Sequence, residues 1–444
     1  MYEKTNVIDK ISDNKDVRNY CDEYINFLNK AKTEFESVTE IKKMLDESGF
    51  VDISSVKKLK EKDKVYYINK DACIYAAIIG NEKLEKGVNI LGAHIDSPRL
   101  DLKPMPLYDN QGMCLFKTQY YGGIKKYQWL TIPLAMHAVI YNSNNERLEI
   151  VIGEDENDPC FTITDILPHL GRDQMKKTAG EFIDPEKMSI LCGSIKDEKN
   201  VKSNILKILN TKYNIEEIDF LKSDIRFVPA FKARYVGFDR GIIGGYGQDD
   251  RICSYAVTKA LINSNTYNKT AIALLVDKEE IGSNGTTSMQ SETFDMFVNK
   301  LIKLKGEDVD KLEVYSKSKM LSADVSSCID PLFEDVFDIQ NCNKLGYGIS
   351  LEKYTGKNSG SEATARYMAE VMDIFKKEGV IYQSGTLGKI GKGGGGTIAY
   401  ILANKGIDVI DCGTAVLCMH SPFELAAIGD TYMTYKAYAA FLKH

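Results

Sequence analysis

Five histidines are spread over 444 residues, and two of them stand in apolar runs with acidic company: His94 in Leu91-Gly92-Ala93-His94-Ile95-Asp96 and His420 in Leu417-Cys418-Met419-His420-Ser421. Three carboxylate clusters lie between them, Asp249-Asp250-Arg251, Asp277-Lys278-Glu279-Glu280 and Ser322-Ala323-Asp324. Each follows or interrupts a short apolar or glycine-rich run of the kind that ends a buried strand, where a carboxylate without a cation is costly. Two imidazoles and several carboxylates brought from separate strand ends make a mixed nitrogen and oxygen donor set. That set suits zinc, with cobalt or manganese as weaker candidates.

Each feature taken singly also fits an ordinary role. A histidine in an apolar run is often a satisfied core residue, and Glu279-Glu280 would serve as a solvated pair at a helix start, where the helix dipole favours negative charge. Asp96 alters the weighing for His94. On an extended chain residues two apart point the same way, so Asp96 can bond the imidazole of a ligating histidine. Adjacent glutamates after a buried strand can divide labour, one holding metal while the other takes a proton from water.

The elements that must position these groups fall into two textures. Residues 16–48 read as helix, followed by strands at 66–68, 73–79 and 88–93, the last running into His94. From residue 256 helix and strand alternate: helix to 262, strand 270–276, helix 292–303, and strand near 314 and 321. The alternation continues with helix 361–377, strand 380–382, helix 397–404, strand 409–411 and a terminal helix 423–442. This predicts an α/β domain around a largely parallel sheet, made from residues 1–103 and 238–444. In such sheets ligands bind beyond the carboxyl ends of the strands, which is where Asp277, Asp324 and His420 fall. Residues 104–237 carry alternating strands at 113–120, 130–141, 147–152 and 161–166 and a helix at 203–210. They read as an inserted, mainly antiparallel β domain. The glycines 393–396 before Thr397 match no phosphate-loop pattern, and read as backbone that approaches the centre closely.

Composition narrows the class. A chain of this length with 43% hydrophobic residues can bury a large core. Its net charge of −6 is dispersed over mixed-sign segments, so no basic face points to nucleic acid or to a membrane surface. No run approaches the ~20 apolar residues of a membrane span, and a cytoplasmic location is expected. Ten cysteines occur without any CxxC pair, most in apolar runs where reduced thiols behave as small hydrophobes. Cys418 reads as a core residue on the strand leading to His420.

The set GAHIDSPRLDLKP, YGQDDRICSYA, DKEEIGSNG, SADVSS and MHSPFELAAIGD resembles the aspartyl aminopeptidase family of dinuclear zinc metallopeptidases, over essentially the whole chain and including the Tyr121-Gly122-Gly123 turn. The resemblance implies a catalytic domain with a mixed sheet flanked by helices, and an inserted dimerisation domain whose dimers assemble into a tetrahedral homododecamer. By matching motif, His94 and Asp324 would hold one zinc, Glu280 and His420 the other, and Asp249 both. Glu279 would be the general base and acid, and Asp96 would orient His94. The peptide bond after the bridging aspartate is cis in related enzymes, which points to Asp249-Asp250. The chemistry implied is hydrolysis of one N-terminal residue at a time from peptides with free N-termini, through a water activated between two metal ions.

Members that prefer acidic N-terminal residues carry a lysine in an Ile-Lys-x-Asn segment. Here the matching stretch, residues 349–354, is shortened, with Ser350 at the lysine position and Lys353 and Tyr354 close behind. A small polar residue cannot offset desolvation of a substrate carboxylate, so neutral or broad N-terminal residues are expected. Lys353 could substitute by reaching in, but it reads first as a solvated surface lysine. The family's inserted domain also lends a histidine to its partner's active site, for which His169 is the nearest candidate. Two other readings use the same residues: an acyl-amino-acid deacylase or carboxypeptidase with a co-catalytic zinc site, and a scaffold that has kept the fold without the activity.

Overall fold

Runs of aliphatic residues without polar interruption make strands buried on both faces. Four of them, Ala271–Val276, Asn89–His94, Lys319–Ser322 and Asp408–Gly413, lie side by side in parallel. They are the middle of a nine-stranded sheet. Cys73–Ile78 joins one side of the four antiparallel to Ala271–Val276, and Ile349–Glu352 joins the other antiparallel to Asp408–Gly413. Five of the eight pairings in this sheet are parallel, so it is mixed and, as the alternation of helix and strand predicts, largely parallel.

Side chains alternate between two cores. Leu91, Ala93, Ala273, Leu275 and Leu321 pack with apolar residues of the helices Lys15–Lys30, Gln248–Ile262, Ala365–Glu378 and Ile428–Lys443. Ile90, Ile272, Leu274 and Met320 pack on the opposite face with Phe294, Phe297 and Val314. The period of two in each strand thus divides its side chains between the two helical layers. A five-stranded sheet, Arg234–Val236, Ile242–Gly245, Glu424–Ala427, Ala415–Leu417 and Ser326–Ser327, completes this unit.

The computed structural model describes residues 4–8, 15–263, 268–355, 361–392 and 394–444. It divides into one unit of Met1–Asp96, Ala233–Met419 and Phe423–His444, and a second of Ser97–Lys232 with His420–Pro422. The second unit is built on a six-stranded sheet in the order Arg147–Ile152, Leu134–Tyr141, Ser223–Pro229, Arg99–Asn110, Met113–Tyr121, Ile190–Gly193. All its pairings are antiparallel. The helix Val201–Tyr213 belongs to the same unit, and Trp129 is wholly buried in it.

Several boundaries differ from expectation for local reasons. The helix expected over 16–48 is two, because Thr33 caps Glu34–Glu47 with its side chain while Glu36 reaches back to the Thr33 N–H. Val314 lies in a short helix, Lys311–Ser316, capped by Asp310. The helix expected from 361 begins at Ala365 after the cap Thr364. The terminal helix starts at Ile428, since Glu424–Ala427 is taken as a strand by Ile242–Gly245. Residues 161–166 contribute only isolated bridges at Phe161 and Thr162. A Cβ on Gly395 or Gly396 would meet open space, so these glycines do not mark a close approach; Gly393 lies outside the described residues.

Candidate metal centre

The parallel strands end where the acidic motifs begin. His94 is the last residue of its strand, Asp277 follows Val276, and Asp324 follows Ser322 by two. Asp249 and Asp250 come at the start of the helix Gln248–Ile262 with non-helical dihedrals, and the peptide between them is cis. Lys278 at φ +69° and Gly282 at φ +91° bracket the turn Glu279–Ile281. Gly413 is required by packing: a Cβ there would lie 1.8 Å from the Asp324 carbonyl oxygen.

His94 is 1% exposed and sits among three aspartates. Its Nδ1 lies 3.1 Å from the Asp96 carbonyl oxygen and 3.3 Å from Asp96 Oδ1. A proton on Nδ1 satisfies those acceptors and leaves Nε2 as a lone pair, the arrangement of a metal-bound imidazole. Nε2 faces Asp249 Oδ1 at 3.1 Å and Asp324 Oδ1 at 3.7 Å. A lone pair against two carboxylates is repulsive until either a proton on Nε2 or, in its place, a metal cation lies among them. Donor atoms of His94, Asp249 and Asp324 all fall within 4.8 Å of one another, and those of His94, Glu279 and Glu280 form a second such group.

The electrostatics of the site show the same shortage of positive charge. Burial alone would lower the His94 imidazole, but its hydrogen bonds to Asp249, Asp324 and Asp96 outweigh it and hold the pKa well above the ordinary value. Burial pushes Glu279 up to about 8; His94 pulls it down, while Asp324, Asp249 and Asp96 add to the rise. Asp324 and Asp250 are likewise raised, first by burial. Asp250 Oδ1 is buried with no hydrogen-bond partner among the described residues. Buried carboxylates converging on one imidazole fit a divalent cation.

Further groups hold these candidate ligands in place. Asp96 accepts the backbone N–H groups of Glu279 and Glu280, one on each oxygen at 3.2 Å, so one carboxylate fixes both the imidazole and the glutamate turn. Asp250 Oδ2 accepts the His94 N–H at 3.3 Å, and Glu424 Oε2 accepts the Asp249 N–H at 3.1 Å. Sequence reasoning missed these two roles, although both residues stand inside the quoted motifs. In the second unit His420, at φ +64°, donates from Nδ1 to the Gly123 carbonyl at 2.7 Å. Its Nε2 is thereby left as the lone pair. Gly123 belongs to the Tyr121-Gly122-Gly123 turn and was also missed.

The remaining expected residues are elsewhere in the fold. Ser350 is wholly buried and its hydroxyl donates to Asn343 Oδ1 at 3.0 Å, so it packs the sheet instead of meeting a substrate. Lys353 Nζ lies 5.1 Å from the centre of the Tyr354 ring, and Tyr354 is exposed. His169 is exposed in the second unit. Cys418 is exposed with φ +60°, because the chain leaves the sheet at Leu417; the expected core position is corrected.

Comparison with known proteins identifies the family. The sequence profile described as aminopeptidase I zinc metalloprotease (M18) matches residues 27–442. The Clostridium acetobutylicum protein named "Probable M18 family aminopeptidase 1" is 46% identical, covering 100% of this chain and 98% of its own. The crystal structure of an M18 family aminopeptidase from Thermotoga maritima has a TM-score of 0.96 at 42% identity, with both chains covered completely. A structure of the S. cerevisiae mApe1 dodecamer shares the fold, with a TM-score of 0.77 at 23% identity over 95% of this chain and 96% of that one. These matches favour the aminopeptidase over the deacylase, carboxypeptidase and scaffold readings. The chain belongs to the aminopeptidase I zinc metalloprotease family, M18, and is a zinc-dependent aminopeptidase.

Proposed function

We propose that two zinc ions serve the reaction, the first held by His94, Asp249 and Asp324, the second by Glu280 and His420 with Asp249 shared. The observation that carries this reading is the orientation of His94: Nδ1 engaged by Asp96, Nε2 turned toward two buried carboxylates. The second ion rests on the matching motifs and on His420 having its Nδ1 occupied by Gly123.

When bound, zinc supplies Lewis acidity toward the scissile carbonyl and toward water at neutral pH. Glu279 is the proton carrier: its carboxylate takes a proton from water and gives it to the departing amine. Burial disfavours its charged form while bound cations would favour it, so the charge of the centre governs when Glu279 takes and gives the proton. Asp96 keeps the imidazole and the Glu279–Glu280 turn in register through its three contacts. The acidic groups of the centre receive the free α-amine of the substrate, which restricts cleavage to the first residue.

Neutral or broad N-terminal residues are the substrates. The chain acts as a homo-oligomer of dimers, joined through the second unit and assembled as a tetrahedral dodecamer, with His169 reaching a neighbouring copy's site. The dodecameric S. cerevisiae structure of the same fold supports the assembly. No helix among the described residues is long and apolar enough to cross a membrane; a cytoplasmic location is proposed on the unbridged buried thiols such as Cys73, Cys253 and Cys412.

Glu279→Gln tests the proton carrier. Zinc content by mass spectrometry should stay at the wild-type level while kcat falls ~10²–10⁴-fold; undiminished turnover would remove Glu279 from the role. A panel of aminoacyl substrates, with N-blocked peptides beside them, should show release of neutral first residues only from free N-termini. Dominance of Asp and Glu would contradict the specificity reading.

A further inference from the structure

Two loops of the larger unit, spanning residues 329–341 and 384–390, are bound to each other by their backbones. Thr386 N–H donates to the Asn341 carbonyl at 2.7 Å, Lys389 N–H to Val336 at 3.0 Å, and Lys389 Nζ to the Asp335 carbonyl at 2.8 Å. Held in this way, they present Leu332, Phe333, Ile339 and Ile390 at 83%, 59%, 56% and 103% exposure. Single exposed apolar side chains are ordinary, but four on one pair of joined loops form a patch of the kind that marks an interaction site. Glu334 and Asp335 are exposed on the short helix Glu334–Val336 at its crest, so the ridge is apolar and acidic at once.

Beside the ridge lies a cavity of about 700 Å³ lined by Lys4, Ile339, Lys344, Tyr347, Lys353 and Tyr354. Lys4 Nζ is anchored on the Cys342 carbonyl, and Lys344 Nζ stands 5.7 Å from the centre of the Tyr347 ring. The cavity is therefore basic and aromatic. Ile339 belongs to both features, which abut on one surface of one unit. Adjacent features of complementary character on one surface suit a two-fold contact between identical copies, in which the ridge of each meets the cavity of the other.

We propose that the ridge 332–336 docks into the lysine- and tyrosine-lined cavity of a second copy of this chain. The proposal rests on the self-assembly reading above and names a surface for it. Leu332 and Phe333 cover the tyrosines, while Glu334 and Asp335 approach the lysines, giving both apolar burial and charge complementarity. A small anion in the cavity would use the lysines and leave the exposed leucine and phenylalanine unaccounted for.

Light scattering on sized protein tests this. L332D/F333D should give a smaller assembly than wild type with an unchanged far-ultraviolet circular dichroism spectrum, since neither side chain is part of a core. E334K/D335K should also reduce the size, and adding K4E/K344E to it should restore the wild-type mass. A wild-type protein that runs as a single chain would sink the self-assembly reading itself. A large wild type with an equally large L332D/F333D would overturn the surface while leaving assembly intact. Wild-type size in K4E/K344E, with inorganic phosphate binding lost by calorimetry, would make the cavity an anion site instead and overturn the docking.

Discussion

His94 shows how much chemistry one buried side chain can specify. Its two ring nitrogens have different company, Asp96 on Nδ1 and two carboxylates on Nε2, and that difference fixes the tautomer a metal needs. Replacing Asp96 by Asn keeps an acceptor but removes the charge and weakens the hold on the Glu279–Glu280 turn. Zinc affinity of Asp96→Asn should drop ~10–100-fold in a chelator competition, and an unchanged affinity would show that Asp96 does not orient the ligand. At this scale the sequence was informative where partners are neighbours. Asp96 is two residues from His94, and on an extended strand that spacing makes the contact. Gly123 and Glu424 act on His420 and Asp249 across 297 and 175 residues, and nothing local to them announces it. Ser350 misled because a motif alignment says which residue is present and not which way a strand turns it.

At the scale of elements, strand ends bring the ligands together, and single backbone positions decide whether they arrive. Gly413 leaves room for the Asp324 carbonyl. Gly413→Ala puts a methyl group against backbone that cannot swing aside, so Asp324 must shift and zinc affinity should fall at least ~10-fold, measured as above; wild-type affinity would show that the loop yields. Thr33 acts on packing instead. Thr33→Ala removes a capping bond to Glu36 and should cost about 1 kcal/mol in urea unfolding with kcat unaffected. The central strands were legible because they are uninterrupted apolar runs between polar turns. Their parallel direction was legible from the helices between them, whereas the antiparallel joins of Cys73–Ile78 and Ile349–Glu352 were not, because a run that is buried on both faces looks alike parallel or antiparallel. The terminal helix was expected five residues early for a similar reason: Glu424–Ala427 has no strand pattern of its own and is a strand because Ile242–Gly245 offers it an edge.

Across the whole molecule, interior carboxylates make stability depend on pH. Asp430 is wholly buried, accepting the N–H groups of Gly346 and Gly348 at 2.7 and 2.6 Å. Burial raises its pKa from 3.8 to about 7, against the pull of those two bonds. The folded chain therefore keeps this proton over a range in which the unfolded chain has lost it. Its contribution is fully present below pH about 4, declines as pH rises to about 7, and is flat above, a total of order 4 kcal/mol. Melting temperatures from pH 4.5 to 7.5 should fall more steeply for wild type than for Asp430→Asn; parallel curves would show that the group titrates normally. The sequence suggests two parts by a change of texture at residues 104 and 237, since antiparallel strands with one solvated face alternate and buried parallel ones do not; the compact units divide instead at Ser97 and Lys232, with His420–Pro422 in the second.

The central claim is that side chains far apart in sequence converge to hold two zinc ions. Anomalous diffraction at the zinc edge, on crystals of protein purified without chelator, tests it directly. The account expects two peaks per chain, one bounded by His94 Nε2, Asp249 and Asp324, the other by Glu280 and His420. A single peak, or peaks away from these residues, would contradict it.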